Sequence, residues 1–146
     1  MDKNEEWVKN TLSRLSRKAN YLVWLLIVYV VVDILLTPLG GLETRPLSQI
    51  TTLGMTTLGL VFAGLALNIA CLVLTLRRYR GSPLLGIIGS ILFFPAMIAD
   101  QTGQFSNLSP PTGIIYVEIV EAIVAISIIV LGALLFREKT EGAPTK

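Results

Sequence analysis

The sequence predicts an all-α integral membrane protein, a bundle of four transmembrane helices with both termini on the cytoplasmic side. Of its 146 residues, 53% are hydrophobic and only 15% are charged, whereas a soluble domain carries roughly a quarter charged residues. Four stretches are apolar enough and long enough to cross a bilayer, which takes about 20 helical residues. The basic residues, finally, lie almost entirely on one side of those stretches.

An amphipathic helix is predicted for residues 1–20, ahead of the first span. Its apolar residues recur at helical spacing, at Val8, Leu12 and Leu15, while basic residues occupy other positions. Such a helix lies in the plane of the membrane surface, where basic side chains are attracted to anionic lipid. We expect it to rest on the inner leaflet, with docking onto another protein as the alternative.

Four transmembrane spans make up the predicted membrane domain, residues 21–136. Turn-forming Pro and Gly residues separate them. The third span is the shortest, and Pro95 is predicted to kink or end it because proline cannot continue the backbone hydrogen bonding of a helix. Residues 137–146 form a short polar tail. The predicted spans cover residues 21–36, 52–76, 83–99 and 114–136.

The orientation follows from the lysine and arginine residues. Eleven of the twelve precede the first span, lie between the second and third, or follow the fourth, and only Arg45 lies in a loop on the opposite side. Basic residues stay on the cytoplasmic side of a membrane. We therefore expect a multi-pass protein of the cell membrane with both termini in the cytoplasm.

The composition excludes several kinds of chemistry. The chain has no histidine and a single cysteine, Cys71, so it lacks the usual ligands of haem and zinc and cannot form an internal disulfide. It contains no phosphate-binding glycine loop, nucleophile elbow or redox dithiol. We predict no catalytic residue and no cofactor, and as partners the lipid bilayer and other membrane subunits or further copies of the chain, not nucleic acid.

Small and polar residues mark the surfaces predicted to pack. Membrane helices associate through close contact of small residues and through interhelical hydrogen bonds. The second span carries such residues on two faces, so we expect it to be packed on both sides. The first span is bulky and is the best candidate for a lipid-facing or partner-facing surface. The predicted packing residues are Gly59, Ala63, Ala66, Asn68, Gly86 and Ser90.

Three carboxylates lie inside the spans. Counting about 1.5 Å per residue from the helix ends puts Asp33 about 6 Å, Glu118 about 7 Å and Glu121 about 12 Å below the outer surface. The spacing of the two glutamates puts them on one helix face, which favours a shared proton or a bound cation such as Na⁺, Ca²⁺, Mg²⁺ or Mn²⁺. Alternatively, these carboxylates reach water, bond to tyrosines or loop amides, or pair with an arginine of another subunit.

Two hypotheses of function follow. The first is a structural or accessory subunit of a larger membrane complex, since the chain has almost no extramembrane part and no catalytic set. The second is a small homo-oligomeric transporter of protons or cations that uses Asp33, Glu118 and Glu121. The sequence does not decide whether these three side chains meet, or whether the glycosylation sequon at Asn107 is used.

Overall fold

A computed structural model describes residues 15–37 and 40–141. This part of the chain is helical without strands, and four of its helical segments are long and apolar enough to cross a membrane, as predicted. The predicted interfacial helix, residues 1–20, lies outside the described residues up to residue 14, and its residues 17–20 belong to the first span instead. The predicted tail begins too early, because residues 137–141 continue the last helix, and residues 142–146 lie outside the described residues. The helices are α1 (Arg17–Leu36), α2 (Thr52–Leu76), α3 (Ser82–Ile91), α4 (Phe94–Gln101) and α5 (Thr112–Glu141).

Side-chain caps explain where two of the spans begin. The hydroxyl of Ser16 accepts a hydrogen bond from the backbone amide of Ala19, so α1 begins at Arg17, earlier than the predicted span. Thr51 does the same for α2, accepting from the amide of Gly54 at 3.0 Å. Each cap satisfies an amide that has no partner inside the helix.

The third span consists of two helices, α3 and α4. Regular helical hydrogen bonding is interrupted between them at Leu92 and Phe93, although both residues keep helical backbone angles. Pro95 lies in the first turn of α4. Its ring nitrogen carries no hydrogen, so it cannot donate to the carbonyl of Ile91 as an uninterrupted helix would require. The interruption therefore lies next to Pro95, as the sequence predicts.

The two ends of the bundle are distinct. At one end, here called the loop end, the segment before α2 meets the segment after α4, where Asn107 donates its amide to the carbonyl of Gln49 at 2.9 Å. At the other, here called the termini end, Lys18 of α1 forms an ion pair with Glu138 of α5. This contact puts the first and last spans side by side, with their terminal ends on the same side of the bundle.

One face of α2 packs closely on α3. A Cβ atom placed on Gly64 would lie 2.6 Å from the carbonyl oxygen of Gly89, and one placed on Gly89 would lie 2.8 Å from that of Gly64. The two backbones therefore approach so closely that neither position has room for a larger side chain. Nearer the termini end, a Cβ atom placed on Gly86 would lie 2.9 Å from the side-chain sulfur of Cys71.

The predicted packing residues divide between the inside and outside of the bundle. Asn68, Gly86 and Ser90 are buried, whereas the second small-residue face of α2 points outward. Gly59 on that face has no atom of another element within 4 Å of its Cβ position. Within the described chain, α2 is thus packed on one side. The outward-facing positions are Gly59, Ala63 and Ala66.

The first span is more deeply packed than its bulky composition suggests. Leu22, Leu26 and Tyr29 of α1 are buried in one core with Ala125 and Ile128 of α5. Other residues of α1 remain exposed. The helix therefore has a core face as well as the outward surface that the sequence predicts.

Candidate carboxylate site

The three predicted carboxylates lie in the half of the bundle nearer the loop end. Asp33 is in the last turn of α1, and Glu118 and Glu121 are in the second and third turns of α5. All three are buried, with 1%, 7% and 0% of their respective surfaces exposed. Glu121 is close enough to both Asp33 and Glu118 to interact with them electrostatically. The packing of α1 on α5 thus brings together side chains that are far apart in sequence.

The carboxylates differ in their hydrogen bonding. Glu118 accepts a hydrogen bond from the side-chain amide of Gln101 at 2.7 Å. The hydroxyl of Tyr29 faces Glu121, but neither carboxylate oxygen of Glu121 has a partner at full hydrogen-bond geometry among the described residues, and the same holds for both oxygens of Asp33. A buried carboxylate without a partner is costly as an anion, so Asp33 and Glu121 have strong reason to bind a positive species.

Three further charged side chains lie on the loop-end side of the site. The guanidinium of Arg45 lies between two carboxylates. It donates a hydrogen bond to Glu43 at 2.6 Å and two hydrogen bonds to Asp100, one of which measures 3.0 Å. Its side chain is only 4% exposed, and it stacks on the ring of Phe105 at 4.9 Å. Burial alone would lower the pKa of Arg45, but its bonds to the two carboxylates outweigh that effect and raise this pKa above its usual value. Arg45 is therefore permanently charged.

A small cavity lies between this cluster and the buried carboxylates. Its polar lining comes from Asp33 and Glu118 on one side and from the Arg45 cluster on the other, while Val61 and Phe93 belong to its apolar lining. The space open to the centres of water molecules is about 50 Å³. One water needs about 10–15 Å³ on this measure, so the cavity has room for a few waters or a small ion and excludes a larger organic substrate.

Sequence reasoning missed two parts of this site. Gln101, the hydrogen-bond donor to Glu118, follows Asp100 directly. Two adjacent polar residues at the end of an apolar span were the sequence signal that could have identified it. Arg45 was identified from the sequence as the only counter-charge on the side of Glu43 and Asp100, but not as their bonded partner. In the structure it is the partner of Asp100, a residue 55 positions away.

The described part of the chain contains no group of three or more acidic, cysteine or histidine side chains arranged to hold a metal ion. No family model, curated protein or solved structure matches this chain. The proposed function therefore rests on the geometry of the carboxylate site.

Proposed function

We propose that this protein is a small proton transporter of the membrane, acting as a homo-oligomer and using Asp33 and Glu121 as its proton-binding groups. The observation that carries the proposal is that both carboxylates are completely buried and lack a hydrogen-bond partner at full geometry among the described residues. A single proton removes the charge of such a group. A metal cation needs several oxygen ligands, so the arrangement fits a proton better.

The cavity supplies the route by which protons reach the site. Asp33 lines it directly, whereas Glu121 does not belong to its lining and lies behind Asp33 and Glu118. A proton that enters with water at the loop end thus meets Asp33 and Glu118 before Glu121. Chains of acidic residues of this kind form proton relays in membrane proteins.

The orientation in the membrane is part of the proposal. The loop end faces the outside and the termini end faces the cytoplasm, because eleven of the twelve basic residues flank the spans on the side of the termini. In this orientation, the amphipathic segment that the sequence predicts ahead of α1 faces the inner leaflet of the cell membrane. The carboxylate site then takes up protons from outside.

Proton flux into liposomes tests the function. The protein is reconstituted with a pH-sensitive dye inside the vesicles, and a pH gradient is applied. We expect Asp33→Asn combined with Glu121→Gln to reduce the flux to that of protein-free vesicles, because neither amide can take up and release a proton. Glu138→Gln is the matched control, since it removes an exposed carboxylate at the termini end. Equal flux in the double variant and the control would reject the function.

A second function, an accessory subunit of a larger complex, is favoured by a different observation. Gly59, Ala63 and Ala66 present a small-residue face outward, which is the surface that a neighbouring membrane helix packs against. Gentle purification from native membranes, followed by mass spectrometry of bound proteins, separates the two candidates. Foreign subunits in fixed ratio support the accessory subunit, and a pure homo-oligomer supports the transporter.

A further inference from the structure

Polar side chains continue through the bundle beyond the cavity, along the contact between α2 and α3. We call this row the polar seam. All of its members are buried, although they lie within the spans. The polar seam consists of Asn68, Cys71 and Thr75 of α2 and Ser82 and Ser90 of α3.

Two members of the polar seam lack the partners that their burial demands. Asn68 and Ser90 are 0% exposed, and neither the amide group of Asn68 nor the hydroxyl of Ser90 has a hydrogen-bond partner in the described part of the chain. An unsatisfied amide or hydroxyl inside a protein costs on the order of 1–3 kcal/mol. Buried water commonly satisfies such groups.

The polar seam begins where the cavity ends. Val61 and Phe93 line the cavity, and Ser90 precedes Phe93 by one helical turn, or about 4.5 Å along the axis. On α2 the same inward face continues from Val61 through Gly64 to Asn68, about 10 Å further along. The edge of the Phe93 ring meets the ring of Tyr29, with 6.4 Å between centroids.

The polar seam leads to the termini end. The hydroxyl of Thr75 donates a hydrogen bond to that of Ser82 at 3.0 Å, and the sulfur of Cys71 lies 3.9 Å from the Thr75 hydroxyl. Ser82 is the first residue of α3, directly after the short arginine-rich turn that joins it to α2. The row therefore extends from the middle of the bundle to its edge.

We propose that the polar seam is the second half of the proton path and carries protons, through water molecules held at Asn68 and Ser90, between the carboxylate site and the termini end. The inference rests on the proposed transport function. Neither Asn68 nor Ser90 takes up the proton. Each orients a water molecule that accepts a proton from one side and releases another to the next water, so that protons are conserved.

The polar seam is closed in this structure. The sulfur of Cys71 lies 2.9 Å from the Cβ position of Gly86, which leaves no room for water between them. Transport then requires α3 to move away from α2 for part of the cycle. The interruption at Leu92 and Phe93 is the place where α3 can move without α4, since backbone hydrogen bonding is reduced there.

The only cysteine of the chain lies on the proposed path and reports on its hydration. A small water-soluble methanethiosulfonate is added to sealed vesicles on the side of the termini end. We expect Cys71 to be labelled at least tenfold faster than Ile69→Cys in a Cys71→Ser background, because Ile69 lies at a similar depth but is 42% exposed on the outer surface of the bundle. Labelling of Cys71 that is no faster than that of the control would overturn the proposal.

Flux measurements separate this inference from the proposed function. We expect Asn68→Leu to lower proton flux at least tenfold, and the milder Ser90→Ala to lower it several-fold, while the carboxylate site still binds protons. Size-exclusion chromatography and circular dichroism show whether each variant folds. A wild-type protein without flux would overturn both proposals. Normal flux in both variants, together with normal flux in the wild type, would overturn the proposed role of the polar seam and leave the proposed function standing.

Discussion

Replacing Arg45 by methionine is expected to destabilise the fold more than any surface substitution. The side chains of Glu43 and Asp100 are buried, at 6% and 4% exposure, against the equally buried guanidinium. Without Arg45 these two carboxylates face each other without a counter-charge. Breaking a buried ion pair by removing one partner costs about 3–5 kcal/mol, and the lost contact with Phe105 adds about 0.5–1 kcal/mol. We therefore expect a loss of about 3.5–6 kcal/mol.

The measurement is reversible unfolding in mixed micelles, followed by circular dichroism as the fraction of denaturing detergent rises. Arg80→Met is the matched control, since Arg80 is exposed in the turn between α2 and α3 and its loss should change stability by about 0.5 kcal/mol or less. Arg45→Lys should fall between them, because lysine keeps the charge but cannot make paired bonds to both carboxylates. A difference below about 1 kcal/mol between Arg45→Met and the control would refute the reasoning.

Three further experiments test helix packing, a side-chain hydrogen bond and a helix cap in the same unfolding assay. Gly64→Ala should cost about 1–3 kcal/mol because its Cβ would lie 2.6 Å from a backbone oxygen of the facing helix. Gly59→Ala is the control and should leave the stability of the single chain unchanged, because its Cβ would meet no atom within 4 Å. Equal effects of the two substitutions would contradict the observed crossing. A double-mutant cycle of Thr75→Val and Ser82→Ala should give a coupling of about 0.5–1 kcal/mol for their hydrogen bond, and additivity would argue against that bond. Thr51→Ala should cost about 1–3 kcal/mol, because it removes both the α2 cap and the hydrogen bond that the Thr51 hydroxyl donates to the carbonyl of Gln104. An unchanged unfolding midpoint would exclude this result.

The membrane spans could be predicted because each depends on local composition. A run of apolar residues indicates a span wherever it lies, and α2 has the predicted bounds of 52–76. The first span begins four residues earlier than predicted, at Arg17, because the hydroxyl of Ser16 caps the helix. The hydropathy pattern begins only at the apolar run. The helix can start earlier, because long basic side chains can lie at the membrane surface while their backbone is helical.

The carboxylate site could be predicted only in part. Glu118 and Glu121 share a helix face by virtue of their spacing, which is a local property. Their approach to Asp33 depends on the packing of α1 against α5, and the pairing of Arg45 with Asp100 depends on the fold of a loop. Neither contact leaves a periodic signal in one sequence. The outward and inward faces of α2 are likewise both rich in small residues, so only the fold distinguishes Gly59 from Gly64.

The proposed transport requires Asp33 and Glu121 to bind protons inside the bundle. Infrared difference spectroscopy of the protein in lipid bilayers measures this directly, because a protonated carboxylic acid has a carbonyl band that a carboxylate lacks. As the external pH is raised and lowered, we expect a reversible carbonyl band that diminishes in Asp33→Asn and in Glu121→Gln and diminishes most in the double variant, in which Glu118 remains. A band that persists unchanged in the double variant would contradict the account.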